Sequence, residues 1–208
     1  MLRKKSILGA IIAGGITFGM FGCLAEKPQE EVAEPADKEK IVKIGEDVSM
    51  RLLKRLKGEL VNALKQGPTE AIKVCSQKAL PITKEVEREV DHGIKIKRTT
   101  FKFRNPANAP DEYEKEALRY FEETYKKTGQ LPKYYIQKVE ENGKTYYRYY
   151  KPLTVQPVCL TCHGDEMSMA KSVRDEIKRI YPNDMATGYK VGDFRGVIRV
   201  SIPEEALK

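Results

Sequence analysis

Five consecutive residues, Cys159-Leu160-Thr161-Cys162-His163, constrain the fold of this chain more than any other stretch. Two thiols three positions apart, with an imidazole beside the second, must be presented together to a common partner. C-x-x-C-H is the spacing at which two thioethers capture a haem and the adjacent histidine reaches its iron. A thioredoxin-type C-x-x-C belongs to a strand-helix-strand context, whereas this one follows Pro152 and Pro157 and precedes Gly164. A structural zinc site needs four good ligands. Cys159, Cys162 and His163 could be completed by Cys75 or His92, so counting alone leaves zinc open. The motif occurs once, so a single covalent haem c is expected.

The N-terminus bears on that choice. Met1 to Lys5 is basic, and Ser6 to Gly22 is an uncharged apolar run, the layout of a secretory signal. A membrane span wants about 20 apolar residues, and this run is shorter. It ends at Met20-Phe21-Gly22-Cys23, which resembles a bacterial lipobox, although its first two residues depart from the commonest Leu-Ala or Leu-Ser. The expectation is removal of residues 1–22 and lipidation of Cys23. An uncleaved anchor and a signal cut elsewhere are the other readings. Haem is attached to c-type cytochromes outside the cytoplasm, so an exported chain favours haem over zinc.

The formal net charge is +8, and the expected leader carries three basic residues and no acid, which leaves +5. No Lys/Arg block or basic-aromatic stripe of the nucleic-acid-binding kind is present, so no nucleic acid is expected. Of four cysteines, Cys23 goes to the lipid and two to the motif. Cys75 is left over, and a leftover cysteine in an exported protein needs an explanation.

Residues 23–39 are acidic and Pro-containing and read as a flexible tether, with one domain over 40–208. Apolar residues recur at steps of three and four over 37–66, an amphipathic helix stopped by Gly67-Pro68. A second helix runs from Pro68 to Lys78, before Pro81, with more helix to Asp91. Ile94 to Arg104 reads as a strand with a bulge or bend near Arg98-Thr99-Thr100. A rigid turn over Asn105–Pro110 leads into a helix from Asp111 to Thr128, closed by Gly129. Tyr134–Glu140 and Lys144–Lys151 flank Glu141-Asn142-Gly143, a hairpin signal. A helix over Lys171–Ile180 and a strand over Arg195–Ile202 complete an α+β domain with a mainly antiparallel sheet.

A second iron ligand has few sources. His92 lies in a charged turn, Met167 and Met169 follow the motif closely, and Met185 sits in a polar loop. Ala71, Cys75 and Ala79 fall at i, i+4 and i+8, so small residues flank a thiol on one helix face, a shelf on which a flat ring could lie. An ordinary buried cysteine explains the same pattern, and the residues alone leave both readings open.

Several stretches together resemble the PAS-like c-type haem family first catalogued as a domain of unknown function. They are Ala71–Cys75, Ile96–Thr100 leading to Arg104–Asn108, the CLTCHG loop, and Gly188-Tyr189 with Gly192–Gly196. The resemblance covers about Lys40 to Pro203. It implies a PAS-like fold and a His/Cys-ligated haem, with His163 proximal and Cys75 distal. Thr99-Thr100 stands where the family leads one to expect Thr-Ser. Arg98, Arg104 and Asn105 are candidates to meet the haem propionates, since guanidinium groups pair with carboxylates; solvated strand charges and a structural turn explain them equally. The hairpin tyrosines (Tyr134, Tyr135, Tyr146, Tyr147, Tyr149, Tyr150) alternate across both faces. One set could cover a haem, or all could serve sheet packing.

The resemblance implies a redox or diatomic-gas sensor, working here with a separate signalling partner. The alternative is a lipid-tethered electron carrier serving a redox partner protein. A peroxidase-like enzyme wants an open iron face with acid-base residues near it, which two histidines and a filled sixth position disfavour. The expectation is an extracytoplasmic, membrane-anchored protein without catalytic activity.

Overall fold

A computed structural model describes residues 35–208. The expected leader and Cys23 lie outside the described residues, as does most of the tether. Helix α1 runs Pro35–Leu64, so residues 35–39 of the expected tether are helical instead. None of the helices among the described residues is long and apolar enough to cross a membrane.

After α1 come α2 (Pro68–Lys73), a π turn (Val74–Lys78) and α3 (Ala79–Val90). Pro81 does not end the helix, as the sequence suggests it should. The N–H of Ala79 reaches back five residues to Val74 O, which widens the turn, and Pro81 then falls in the first turn of α3. There a missing N–H leaves little unsatisfied. π turns of this kind mark strained or functional points in helices, and this one contains Cys75.

Strand β1 (Lys95–Thr99) is followed by α4 (Glu112–Thr128), β2 (Tyr135–Glu141), β3 (Lys144–Thr154), α5 (Leu160–His163), α6 (Lys171–Ile180) and β4 (Phe194–Pro203). The sheet is antiparallel throughout, in the order β1-β4-β3-β2. Asn142 and Gly143 both have positive φ, so the β2–β3 hairpin closes on the two-residue turn their sequence favours. Helix α4 starts where Asp111 and Glu114 form a reciprocal capping box and stops at left-handed Gly129.

Both sheet faces are covered. On one, Ile41, Val48 and Leu52 of α1 and Val86 of α3 pack against Tyr149, Ile198, Val200 and Ile202. On the other, Leu118 and Phe121 of α4 pack against Tyr150 and Val197. The alternation Val197/Ile198 and Tyr149/Tyr150 sends neighbouring side chains to opposite cores, as strand geometry requires. This is the expected α+β architecture.

The strand expected over Ile94–Arg104 is shorter, ending at Thr99. Its partner β4 passes close to it at Gly196 (φ 139°), where a Cβ would stand 2.5 Å from Thr99 O. The chain bends just past Thr100, where the sequence calls for a bulge or bend, and a bulge lies across β3 and β4: Leu153 pairs with Gly196 and Thr154 with Phe194, leaving Arg195 as the extra residue. Residues beyond Thr99 instead turn toward the loop before β4, where Met185 N donates to Phe103 O.

Candidate functional site

The second half of α1, the α2–π–α3 segment, the end of β1 and the α5 loop surround a cavity of about 310 Å³ at one end of the sheet. Its apolar wall comes from Leu53, Leu56, Leu60 and Leu64, one stripe of α1. Ala71, Cys75 and Ala79 line it together, so the small-residue shelf around the thiol faces this space. Cys159, Cys162 and His163 line the same space.

These thiols and the imidazole surround the space without meeting at a point. Among the described residues, no three His, Cys, Asp or Glu side chains come close enough to hold a metal ion. That is poor geometry for tetrahedral zinc, which draws four ligands to about 2.0–2.3 Å. It suits a flat ring that reaches each of them separately. His92 is exposed in a positive-φ turn, Met167 and Met185 are exposed, and Met169 is buried against Ile72, Val173 and Ile177. None of them lines the cavity.

The motif loop is held from outside. Gly164 caps the end of α5, a place where a Cβ would stand 2.7 Å from Leu160 O. The backbone then pairs with the segment before β4: Gly188 N donates to Gly164 O and Tyr189 N to His163 O. His163 Nδ1 lies 2.6 Å from Ala186 O. A carbonyl only accepts, so Nδ1 carries the proton and Nε2 is left with its lone pair to accept a hydrogen bond or bind a metal. Burial pushes the imidazole pKa down to about 3, helped by the Arg195 and Arg104 guanidiniums and opposed by the Ala186 hydrogen bond. A neutral ring is the form that binds a metal. Burial also pushes the Cys162 thiol up to about 11.

Arginine dominates the polar wall. Arg98 faces the cavity with no hydrogen bond or ion pair among the described residues; burial lowers its pKa, Cys75 raises it and Arg195 lowers it. Arg104 lines the same wall, but its Nη2 donates to Cys162 O at 2.6 Å and to Asp184 Oδ2 at 2.9 Å. Its Nε is buried without a partner. Asn105 does not line the cavity. Its side-chain oxygen accepts from Ala107 N and caps the turn over Pro106–Asn108.

Arg195 lines the cavity too, and the sequence reading gave it no role. The bulge and the glycine after it aim it there, which is a use to which bulges are often put. It donates to Thr100 Oγ1 and Lys102 O and lies over the Tyr189 ring at 5.1 Å; Tyr189 stands edge-on to His163. The hairpin tyrosines do not line the cavity. Tyr147 and Tyr149 go to the α1 core, Tyr150 goes to the α4 core, and Tyr135 stacks on Tyr120.

Fold and site together define an α+β domain with, at one end of its sheet, a cavity lined by thiols, an imidazole and arginines. The chain belongs to the Tll0287-like family, whose model matches residues 27–203. Among solved structures it is similar to the cyanobacterial heme-protein Tll0287, at 23% identity and a TM-score of 0.53, over 83% of this chain and 98% of that one. A search of the curated proteins gives no match.

Proposed function

We propose that this chain is an exported c-type haem protein, with one haem joined to Cys159 and Cys162 and its iron held by His163 and Cys75. The observation that carries the reading is the shared cavity: four donors ring it without converging, and His163 Nδ1 is engaged so that Nε2 stays free. Arg98, which lines the cavity with no hydrogen bond or ion pair among the described residues, fits a ligand that brings a carboxylate into the same space. Haem in the similar solved structure supports the same reading.

A bound haem supplies one-electron chemistry and an iron that takes diatomic gases. The chain's own residues hold and orient it, with leucines excluding water on the α1 side. Cys75 lies on the π turn, between a helix of six residues and one of twelve. Ile72, three positions before it, packs on Met169, Val173 and Ile177, next to the motif loop. Departure of the thiol on reduction, or on binding NO or CO, would therefore be felt by α2 and α6. This favours a redox or gas sensor that signals through a separate partner, without catalysis. Lipid on Cys23 would anchor it to a bacterial membrane, outside the cytoplasm.

The test compares ferric EPR, redox titration and CO binding in wild type and Cys75→Ala. The account expects a low-spin thiolate signal in wild type that the variant lacks, and a ferrous form that binds CO. An unchanged low-spin signal in Cys75→Ala would remove the distal assignment. A midpoint potential well above zero with no CO binding would favour the tethered electron carrier.

A further inference from the structure

Arg104 is tied into the proximal side of the cavity more firmly than a residue awaiting an anion needs to be. Its guanidinium and the Asp184 carboxylate are both about nine-tenths buried and pair at 2.9 Å. Asp184 Oδ1 accepts from Ala186 N at 2.9 Å, so one carboxylate joins Arg104 to the Ala186 backbone. Arg104 Nη2 also holds Cys162 O at 2.6 Å and makes a long contact of 3.5 Å to Ala186 O. That carbonyl receives the His163 Nδ1 proton at 2.6 Å. Ala186 is fully buried, which leaves its carbonyl no competing water.

We propose that Arg104 and Asp184 are positioning residues for His163: they fix the Ala186 carbonyl against Nδ1 and thereby set how strong a donor the imidazole is. The proposal rests on the haem reading given above. A hydrogen bond from the outer ring nitrogen raises the basicity of the ligating one. A stronger donor favours ferric over ferrous iron, so the intact bracket lowers the potential.

The test is a redox titration of the holoprotein in wild type, Asp184→Asn, Asp184→Ala, Arg104→Lys and Arg104→Gln. Asp184→Ala removes both the charge and the acceptor for Ala186 N. It should shift the ferric/ferrous balance about tenfold toward ferrous, a rise of about 59 mV for one electron. Asp184→Asn keeps an oxygen for Ala186 N and should rise less. Arg104→Gln should also raise the potential, although loss of a positive charge near the iron would by itself lower it. Arg104→Lys should fall between wild type and Arg104→Gln. Equal rises in the two Asp184 variants, or a fall in Arg104→Gln, would overturn the proposal in favour of charge alone.

A second readout is independent of haem. The chain has two histidines, so ¹⁵N-histidine NMR of the unloaded protein resolves the His163 tautomer. Wild type should hold the proton on Nδ1, and Asp184→Asn, Arg104→Lys and Arg104→Gln should each populate the other tautomer in part. An unchanged tautomer in all three would overturn the bracket, whereas failure to load haem would count against the functional reading alone.

Discussion

The ring of Tyr149 lies directly on the backbone of α1 at Gly45, where a Cβ would stand 2.2 Å from Tyr149 Cγ. The contact sets how close α1 comes to the sheet, and with it the position of the leucine wall further along the helix. Tyr149 is fully buried, and its hydroxyl donates to Glu46 Oε2 at 2.7 Å, so the ring cannot swing away cheaply. Gly45→Ala should therefore destabilise the fold by about 1–3 kcal/mol, the usual cost of overpacking. Gly58→Ala is the control: nothing lies within 4 Å of its Cβ. It should stabilise by up to about 1 kcal/mol through helix propensity. Urea unfolding of the two variants checks both signs.

Gly196 makes a second demand on the backbone, this time at the cavity. A Cβ there meets Thr99 O at 2.5 Å and Thr100 Cβ at 2.8 Å, at a positive φ. Gly196→Ala should cost about 1–3 kcal/mol in strain and displace Arg195 from the wall. Thermal melts should show the loss of stability, and the haem-to-protein ratio after maturation should fall.

Acid should weaken the sheet's α4 face. Burial pushes the Asp111 pKa up, but the Glu114 N–H and the Arg148 and Arg199 guanidiniums overcome it and hold the carboxyl below its usual range. A depressed folded pKa adds stability that is present above the unfolded value, about 3.9, and is lost as pH falls through the folded one. The melting temperature should drop below about pH 4. Asp111→Asn should have a lower plateau at neutral pH and a shallower acid limb.

The aromatic stack on the hairpin should matter to stability and leave the site untouched. Tyr120 stacks on Tyr135 at 4.6 Å, and neither ring lines the cavity. Tyr120→Ala should lose about 0.5–1.5 kcal/mol of pair energy beyond its area burial. The haem spectrum and potential should be unchanged.

Local signals were the legible ones. Asn142-Gly143 states a hairpin and Gly129 a helix end, because each signal is complete within a few residues. The spacing of Ala71, Cys75 and Ala79 anticipated one lining face, although a π turn rather than a regular helix delivers it. What escaped depends on chain partners far away. β1 stops at Thr99, opposite Val197 of β4, and Arg195 enters the wall beside a bulge that only strand pairing creates. Arg104 resembled a free anion hook until the Asp184 loop closed on it, and Ala186 acts through its carbonyl, which no side chain advertises. Asn105 is a residue type that serves turns as readily as ligands, and here it serves the turn.

The haem reading stands or falls on covalent attachment at Cys159 and Cys162. Denaturing intact-mass spectrometry, on protein matured in a host that attaches haem c, tests it most directly. The mass should show one haem added to the chain, resistant to acidified organic extraction, and lost in the Cys159→Ala, Cys162→Ala double variant. A wild-type chain of unmodified mass, or haem that extracts freely, would contradict it.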